Sequence, residues 1–407
     1  VTEPDAELQQ LRTVERADVW KAGRPAATLT RTADGIEFRY RPDWTGDRSP
    51  AVATTLPLGS EPVLRPGGAL PSYFAGLLPE GRRLGALRRA VKTSADDELS
   101  LLLAVGADAI GDVQVVPDGV VPHEVPPRVA IERIDALSFA ALLDELGITA
   151  QRSALPGVQD KTSAAMINLP IARAGERYLL KLEPIGEYPH LVENEAFFLD
   201  AARHSGLDVP PSELVADRDG TPGLLIRRFD RVTVDGQLRA LAVEDGCQAA
   251  DRPPADKYLL GADRTFAGLA AACDAPAVAA RELVRQLAFA YLTGNGDAHS
   301  KNFSVLQDLT GERRVSPAYD VPSSQPYGDT TMALSIGGRT GSDFAAADFV
   351  ALGGRLNVPE RAVRRALAEL ADRVDRWLGD LDHLPFDRGQ LAKLRRVIDH
   401  RRRRLTT

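Results

Sequence analysis

Asp297 and Asn302 stand in a D-x-x-x-x-N spacing within Leu292-Thr293-Gly294-Asn295-Gly296-Asp297-Ala298-His299-Ser300-Lys301-Asn302. That spacing suits phosphoryl transfer, in which the carboxylate accepts the proton of an attacking hydroxyl and the amide oxygen ligates Mg2+. Downstream, Phe303-Ser304-Val305-Leu306 reads as a strand, Gly311 as a turn and Arg313-Arg314-Val315 as the returning strand. This path brings Tyr319-Asp320 back beside Asn302, where Asp320 would supply the charged oxygen that a hard cation needs. The same residues would also furnish an ordinary loop, with Asp297 and His299 making turn hydrogen bonds and Asp320 capping a helix. His299 accordingly reads either as a residue that orients the loop or as a structural histidine.

Phosphoryl transfer also needs a cation for the nucleotide phosphates. Lys181 is the lone charge in Tyr178-Leu179-Leu180-Lys181-Leu182, a strand-like run. It fits that role, and an exposed edge lysine is the alternative. Glu193 and Glu195 lie on the helix-like stretch His190 to His204 that follows. Two residues apart on a helix they point in different directions, so only one can hold the lysine. A phosphate-binding loop should precede the lysine strand, and Leu155-Pro156-Gly157-Val158-Gln159-Asp160-Lys161 occupies that place. Its single glycine makes a poor phosphate cradle, and a plain β-turn would use the same residues.

The elements that must position these groups follow from the punctuation of the chain. Ala17 to Tyr40 is cut into short apolar stretches, with Asp34-Gly35 as a hairpin signal, so the opening is β-rich. Pro71 to Leu103 reads as helices broken at Leu78-Pro79-Glu80-Gly81 and at Thr93-Ser94-Ala95-Asp96, and Val113 to Val116 as a strand. The prolines between Pro117 and Pro127 mark a linker and a first boundary. Ser138 to Leu146 reads as a helix, and Lys161 to Leu169 with Tyr178 to Leu182 as a hairpin turning near Gly175. Beyond about Thr265 the reading is mostly helical. Leu283, Leu287 and Ala290 share one helical face ahead of the Gly294 turn. Asn357-Val358-Pro359-Glu360 reads as a capping box ahead of Val363, Leu367, Leu370, Val374 and Trp377. The expected modules are 1–122, 123–231 and 232–407, without internal repeats.

Length and composition set the outer limits. At 407 residues with 44% apolar and 26% charged residues, the chain can bury two or three cores and is not a disordered tail. Fifty basic against fifty-seven acidic residues give a formal charge of -7, which argues against coating nucleic acid by charge alone. Arg401 to Arg404 is a local basic run that could meet phosphates or simply solvate a helix end. Cys247 and Cys273 fit neither a metal spacing nor a disulfide framework and are expected to be reduced, in a cytoplasmic protein. No apolar run is long enough for a membrane span, and the N-terminus lacks a signal-peptide pattern.

The ordered set of motifs resembles the HipA-like serine/threonine kinases, the toxin components of bacterial toxin–antitoxin pairs. It comprises Gly157-Val158-Gln159-Asp160-Lys161, Tyr178-Leu179-Leu180-Lys181, Glu193-Asn194-Glu195 and Arg228-Phe229-Asp230-Arg231. It continues through Glu244-Asp245-Gly246-Cys247-Gln248, Lys257-Tyr258, the Gly294 to Asn302 loop and Tyr319-Asp320. An N-terminal part matches in Phe74-Ala75-Gly76-Leu77-Leu78-Pro79-Glu80-Gly81 and in Val105 to Val113. The resemblance implies an α+β, two-lobed kinase-like fold similar to phosphoinositide 3/4-kinases, with an extra N-terminal β-rich module and a mostly helical C-terminal lobe.

It further implies ATP and Mg2+ as cofactors, Lys181 as the ATP-phosphate lysine, Asp297 as the catalytic base, and Asn302 with Asp320 as metal ligands. The Gly157, Val158, Gln159 and Lys161 loop and His299 would lie by the nucleotide, and Arg228, Phe229 and Asp230 would form the hinge along the adenine edge. Many relatives carry Glu where this chain has Arg227, so only backbone contacts to adenine carry over there. The family's regulatory loop serine aligns at Ala154, with Ser153 one residue earlier. The implied activity is phosphorylation of a protein hydroxyl, such as one on an aminoacyl-tRNA synthetase. The implied partners are a HipB-like helix-turn-helix antitoxin and, through it, operator DNA. A kinase-like co-repressor and a small-molecule kinase are the competing readings.

Overall fold

A computed structural model of the chain describes residues 4–44, 49–59, 61–123, 129–130, 133–145, 166–183 and 188–407. The first sheet contains β1 (Arg16–Lys21), β2 (Arg24–Thr32), β3 (Gly35–Tyr40), β4 (Val63–Pro66) and β5 (Val113–Pro117), ordered β4-β3-β2-β1-β5. All its pairings are antiparallel. Alternation puts Val19, Leu29, Phe38 and Val115 on one face, where they meet Tyr73, Phe74 and Leu102 from helices Ser72–Ala75 and Glu98–Val105. This N-terminal module therefore has its own core.

The second sheet runs β6-β7-β8-β10-β9, from β6 (Val129–Ala130), β7 (Ile167–Arg173), β8 (Glu176–Leu182), β9 (Ser212–Ala216) and β10 (Pro222–Arg227). Leu180, Leu182 and Leu225 face a small core with Phe139 from helix Phe139–Glu145, while Leu224 and Ile226 face Val192, Phe198 and Leu199 of helix Leu191–His204. The expected hairpin forms, but its first strand is Ile167–Arg173 and passes through Pro170, where the sequence reading ended it at Leu169. Proline lacks only a donor, and among the described residues β6 pairs with Ile171 and Ala172 but not with Pro170, so the ladder as described asks no donor of Pro170 on that side.

A ribbon of β11 (Arg231–Val234) and β12 (Gln237–Ala240) precedes a third sheet of β13 (Ala242–Asp245), β14 (Ser304–Gln307) and β15 (Arg313–Val315). Behind it lies the largest core, built by helices Ala262–Ala271, Pro276–Thr293, Ala346–Arg355, Glu360–Arg373 and Arg388–Arg404. Val363, Leu367, Leu370, Val374 and Trp377 are buried as their spacing predicts. The Asn357 capping box does not form: Pro359 is the N-cap of Glu360–Arg373 and gives no side-chain hydrogen bond. Asn357 instead takes a left-handed φ of 59°, in the turn after the preceding helix. Cys247 and Cys273 are free and buried. Among the described residues no helix is long and apolar enough to cross a membrane.

Candidate active site

Strand alternation decides where Lys181 points. Leu180 and Leu182 face the small core, so Lys181, paired with Leu224, faces the side covered by helix Leu191–His204. There it donates to Glu195 Oε1 at 2.7 Å and Oε2 at 2.9 Å. Glu195 is fully buried, whereas Glu193 lies toward His190. The edge-lysine alternative is thus excluded, since Lys181 is 7% exposed. A third bond joins Lys181 Nζ to Asp320 Oδ1 at 3.0 Å.

One ammonium shared by two carboxylates sets their protonation. Burial opposes ionisation of Asp320, but the charge and hydrogen bond of Lys181 outweigh it and hold this carboxyl below its usual range. Burial raises the Glu195 carboxyl to about 7, with Lys181 lowering it and Asp320 adding to the rise. Lys181 itself is raised because the two carboxylates outweigh its desolvation.

The catalytic-type loop begins where helix Pro276–Thr293 ends at Gly294, whose φ of 76° is left-handed. A Cβ there would come within 2.4 Å of Gln325, so only glycine fits this close turn. Asn295 then braces both ends of the site. Its Nδ2 donates to the Asp320 carbonyl at 3.0 Å and its Oδ1 accepts from the Asp297 N–H at 3.1 Å. The Asp297 carboxylate accepts a hydrogen bond from the Tyr258 hydroxyl at 2.8 Å. Asn302 Oδ1 accepts from the His299 N–H at 2.9 Å, while its Nδ2 donates to Asp320 Oδ2 at 2.7 Å. Asp320 holds a left-handed φ of 58°, an unusual conformation that the Asn295 bond helps to fix.

His299 is 6% exposed and packs edge-on to Tyr258 with ring centroids 5.1 Å apart. Among the described residues its Nδ1 has no hydrogen-bond partner, and burial together with Lys257 pushes its pKa down to about 3, so the ring is neutral. Phe229 lies 5.7 Å from the ring of Tyr319, the neighbour of Asp320. Arg228 and Asp230 turn elsewhere. Asp230 is buried between Arg228 at 2.8 Å and Arg231 at 2.7 Å, and accepts from the Gly111 N–H of the N-terminal module at 3.0 Å. Arg227 pairs with Glu176 at 2.8 Å on the surface. Gly157, Val158, Gln159, Lys161 and Ser153 lie outside the described residues.

The structure thus gathers Lys181, Asn302 and Asp320 directly, and ties Asp297 to Asp320 through Asn295. Among the described residues no three His, Cys, Asp or Glu side chains form a ready metal cage. The candidate donors are the partly buried Asp320 carboxylate and the Asn302 amide oxygen, a small set that suits Mg2+ carried in with nucleotide phosphates, since Mg2+ keeps several waters and takes few protein ligands. Asn295, Tyr258, Tyr319 and Lys301 were not assigned roles from sequence. All four lie within the quoted motifs, but nothing local reveals their partners.

This chain matches the model of the HipA N-terminal domain over residues 17–116 and that of the HipA-like C-terminal domain over residues 153–378. It is 32% identical to “Putative kinase Y4mE” of Sinorhizobium fredii, over 93% of this chain and 96% of that protein. It is 28% identical to the serine/threonine-protein kinase toxin HipA of Shewanella oneidensis, over 75% of this chain and 74% of that one. The solved Shewanella HipA, in complex with HipB and its operator DNA, has the same fold, with a TM-score of 0.76 over 96% of each chain at 21% identity. Two matched modules in chain order, kinship along nearly the whole length and a shared fold mean that this chain belongs to the HipA family of kinases.

Proposed function

We propose that this protein is an ATP- and Mg2+-dependent serine/threonine protein kinase of the HipA toxin type. The observation that carries this reading is the convergence of Lys181, Asp320 and Asn302, with Lys181 held by Glu195. Lys181 neutralises the triphosphate, and Glu195 keeps its ammonium in place. Asp297 orients the incoming hydroxyl and takes its proton on the carboxylate. Asn302 and Asp320 are the side chains that would hold Mg2+, which when bound offsets charge on the β- and γ-phosphates. Phe229 and the backbone on either side of it would line the adenine.

The finer architecture in this reading is a two-lobed kinase similar to phosphoinositide 3/4-kinases, with modules 1–122, 123–231 and 232–407. Gly157, Val158, Gln159 and Lys161, outside the described residues, are the candidate phosphate-binding loop, and Ser153 is the candidate for regulatory phosphorylation. The acceptor is a serine or threonine of a cytoplasmic protein, a translation component being the class suggested by the family. The Shewanella relative solved with HipB and operator DNA supports a small antitoxin and its operator as partners here. The test is to incubate the purified chain with γ-labelled ATP and a lysate of the source organism, with and without excess chelator. A labelled protein band that vanishes on chelation supports the proposal, and label confined to small molecules or absent altogether refutes it.

A further inference from the structure

The kinase reading assigns no role to the N-terminal module, yet that module reaches the catalytic loop through the Glu80 side chain and the Gly76 carbonyl. Glu80 lies in the Leu78-Pro79-Glu80-Gly81 break, 177 positions before Lys257. Its Oε2 accepts from Lys257 Nζ at 2.5 Å, and its Oε1 stands 3.2 Å from Lys301 Nζ. Lys301 also meets Asp245 Oδ2 at 3.1 Å and donates to the Gly76 carbonyl at 3.0 Å. Among the described residues Glu80 is the acid that pairs with Lys257. The lysine side chains are only 15% and 14% exposed, so each needs a counter-charge to stay where it is.

Both lysines are chain neighbours of residues that contact the proposed chemical groups. Lys257 precedes Tyr258, whose hydroxyl donates to Asp297, and the Lys257 carbonyl accepts from Ser300 Oγ at 3.1 Å. Lys301 precedes Asn302, and its carbonyl accepts from the Tyr319 hydroxyl at 2.7 Å, next to Asp320. One carboxylate therefore governs two adjoining supports, one under the base and one under the Asn302 and Asp320 pair. Other contacts hold the module without touching the loop. Thr54 bonds Glu244 through Oγ1 at 2.6 Å, and Arg65 pairs with Asp251 at 2.9 Å.

We infer that Glu80 is a positioning residue for phosphoryl transfer, so that the N-terminal module is part of the catalytic apparatus and sets the Asp297 to Asn302 loop through Lys257 and Lys301. The inference rests on the kinase reading above. Glu80→Gln keeps the shape and removes the acid that pairs with Lys257 and one of the two carboxylates at Lys301, which keeps Asp245, while the rest of the docking surface is untouched. It leaves the loop supports to repel each other.

The test uses the full-length chain as wild type, Glu80→Gln and, as a docking control, Arg65→Ala. Transfer from γ-labelled ATP to lysate protein, calorimetric affinity for Mg2+-ATP, thermal melting and amide exchange of residues 297–302 are read for each. In Glu80→Gln, kcat should fall about tenfold or more with nucleotide affinity within about twofold. Loop exchange should quicken, and Arg65→Ala should do neither. Wild-type turnover in Glu80→Gln, unchanged loop exchange, or an equal loss of turnover in Arg65→Ala would each overturn the inference. A wild-type chain that transfers no phosphate would sink the kinase reading instead, and loop exchange in Glu80→Gln would still decide whether the module sets the loop.

Discussion

Lys181 Nζ lies 3.0 Å from Asp320 Oδ1, across 139 positions of sequence. The bond closes the second sheet onto the turn that follows the third, and it places the expected phosphate cation against the expected metal ligand. Lys181 and Asp320 offset each other's charge, so neither stands unpaired in a site largely shielded from water.

Lys181→Met should therefore have two effects. Nucleotide affinity by calorimetry is expected to fall about tenfold or more, through loss of the triphosphate's counter-charge. The chain should also lose about 3–5 kcal/mol of stability by denaturant melt, because the buried Glu195 and the partly buried Asp320 would be left without their cation. Lost affinity with no lost stability would mean that the buried pairing contributes little to the fold.

Asp297→Asn separates binding from chemistry. The Asp297 carboxylate accepts from Tyr258, and its backbone N–H is linked to the Asp320 carbonyl through Asn295. Removing its basic oxygen should lower phosphate transfer by about 10²–10⁴-fold. Nucleotide affinity is expected to stay within about threefold of wild type, since the side chains assigned to phosphate and metal are unchanged. A variant that transfers phosphate normally would show that the base lies elsewhere.

What was legible in the sequence was what short-range pattern encodes. The Asn302 and Asp320 encounter follows from one tight hairpin, β14 to β15, whose turn residues are plain to read. Lys181 stood out because a charge in an apolar strand is either at an edge or paired, and helix geometry then allowed only one of Glu193 and Glu195. Pro170 and the Asn357 turn misled because tertiary context decides them: a place in the strand ladder opposite Leu179 in one case, the end of a preceding helix in the other. Glu80, Tyr258 and Asp230 carry no local signature of their partners. Their contacts join modules far apart in the chain, and an acid in a loop looks the same whether it meets water or two lysines.

Asp230→Asn tests one such junction by stability and pH. Two arginines and a backbone N–H surround this buried carboxylate, and although burial opposes ionisation they hold its pKa below the usual value. A depressed folded pKa contributes stability that is fully present above the unfolded carboxyl's value of about 3.9 and is lost as pH falls through the lower folded value. The variant should be about 3–5 kcal/mol less stable at neutral pH. That gap should stay flat above about pH 5 and narrow only under stronger acid. Chemical denaturation at stepped pH would expose the opposite trend, a gap that widens on acidification, which would rule out an ionised Asp230.

The basic run at the C-terminal helix was open to two readings, and three of its arginines are committed within the fold. Arg402 pairs with Asp375 at 2.7 Å and Arg404 with Asp343 at 3.1 Å. Arg401 is 3% exposed, with its guanidinium 4.8 Å from the ring centroid of Tyr291 and donating to the Tyr291 carbonyl at 2.6 Å. Tyr291 is among the last residues of helix Pro276–Thr293, whose final carbonyls lack partners within the helix. A cation there also meets the negative end of the helix dipole, immediately before the Gly294 turn into the catalytic-type loop. Arg401→Met keeps the apolar stem and removes these bonds, so it should cost about 2–4 kcal/mol. Arg403, exposed on the same helix, should change stability by no more than about 0.5 kcal/mol as Arg403→Met. If thermal melts find the two variants alike, Arg401 is not the anchor its burial and bonds imply, and the run behaves as a solvated basic surface.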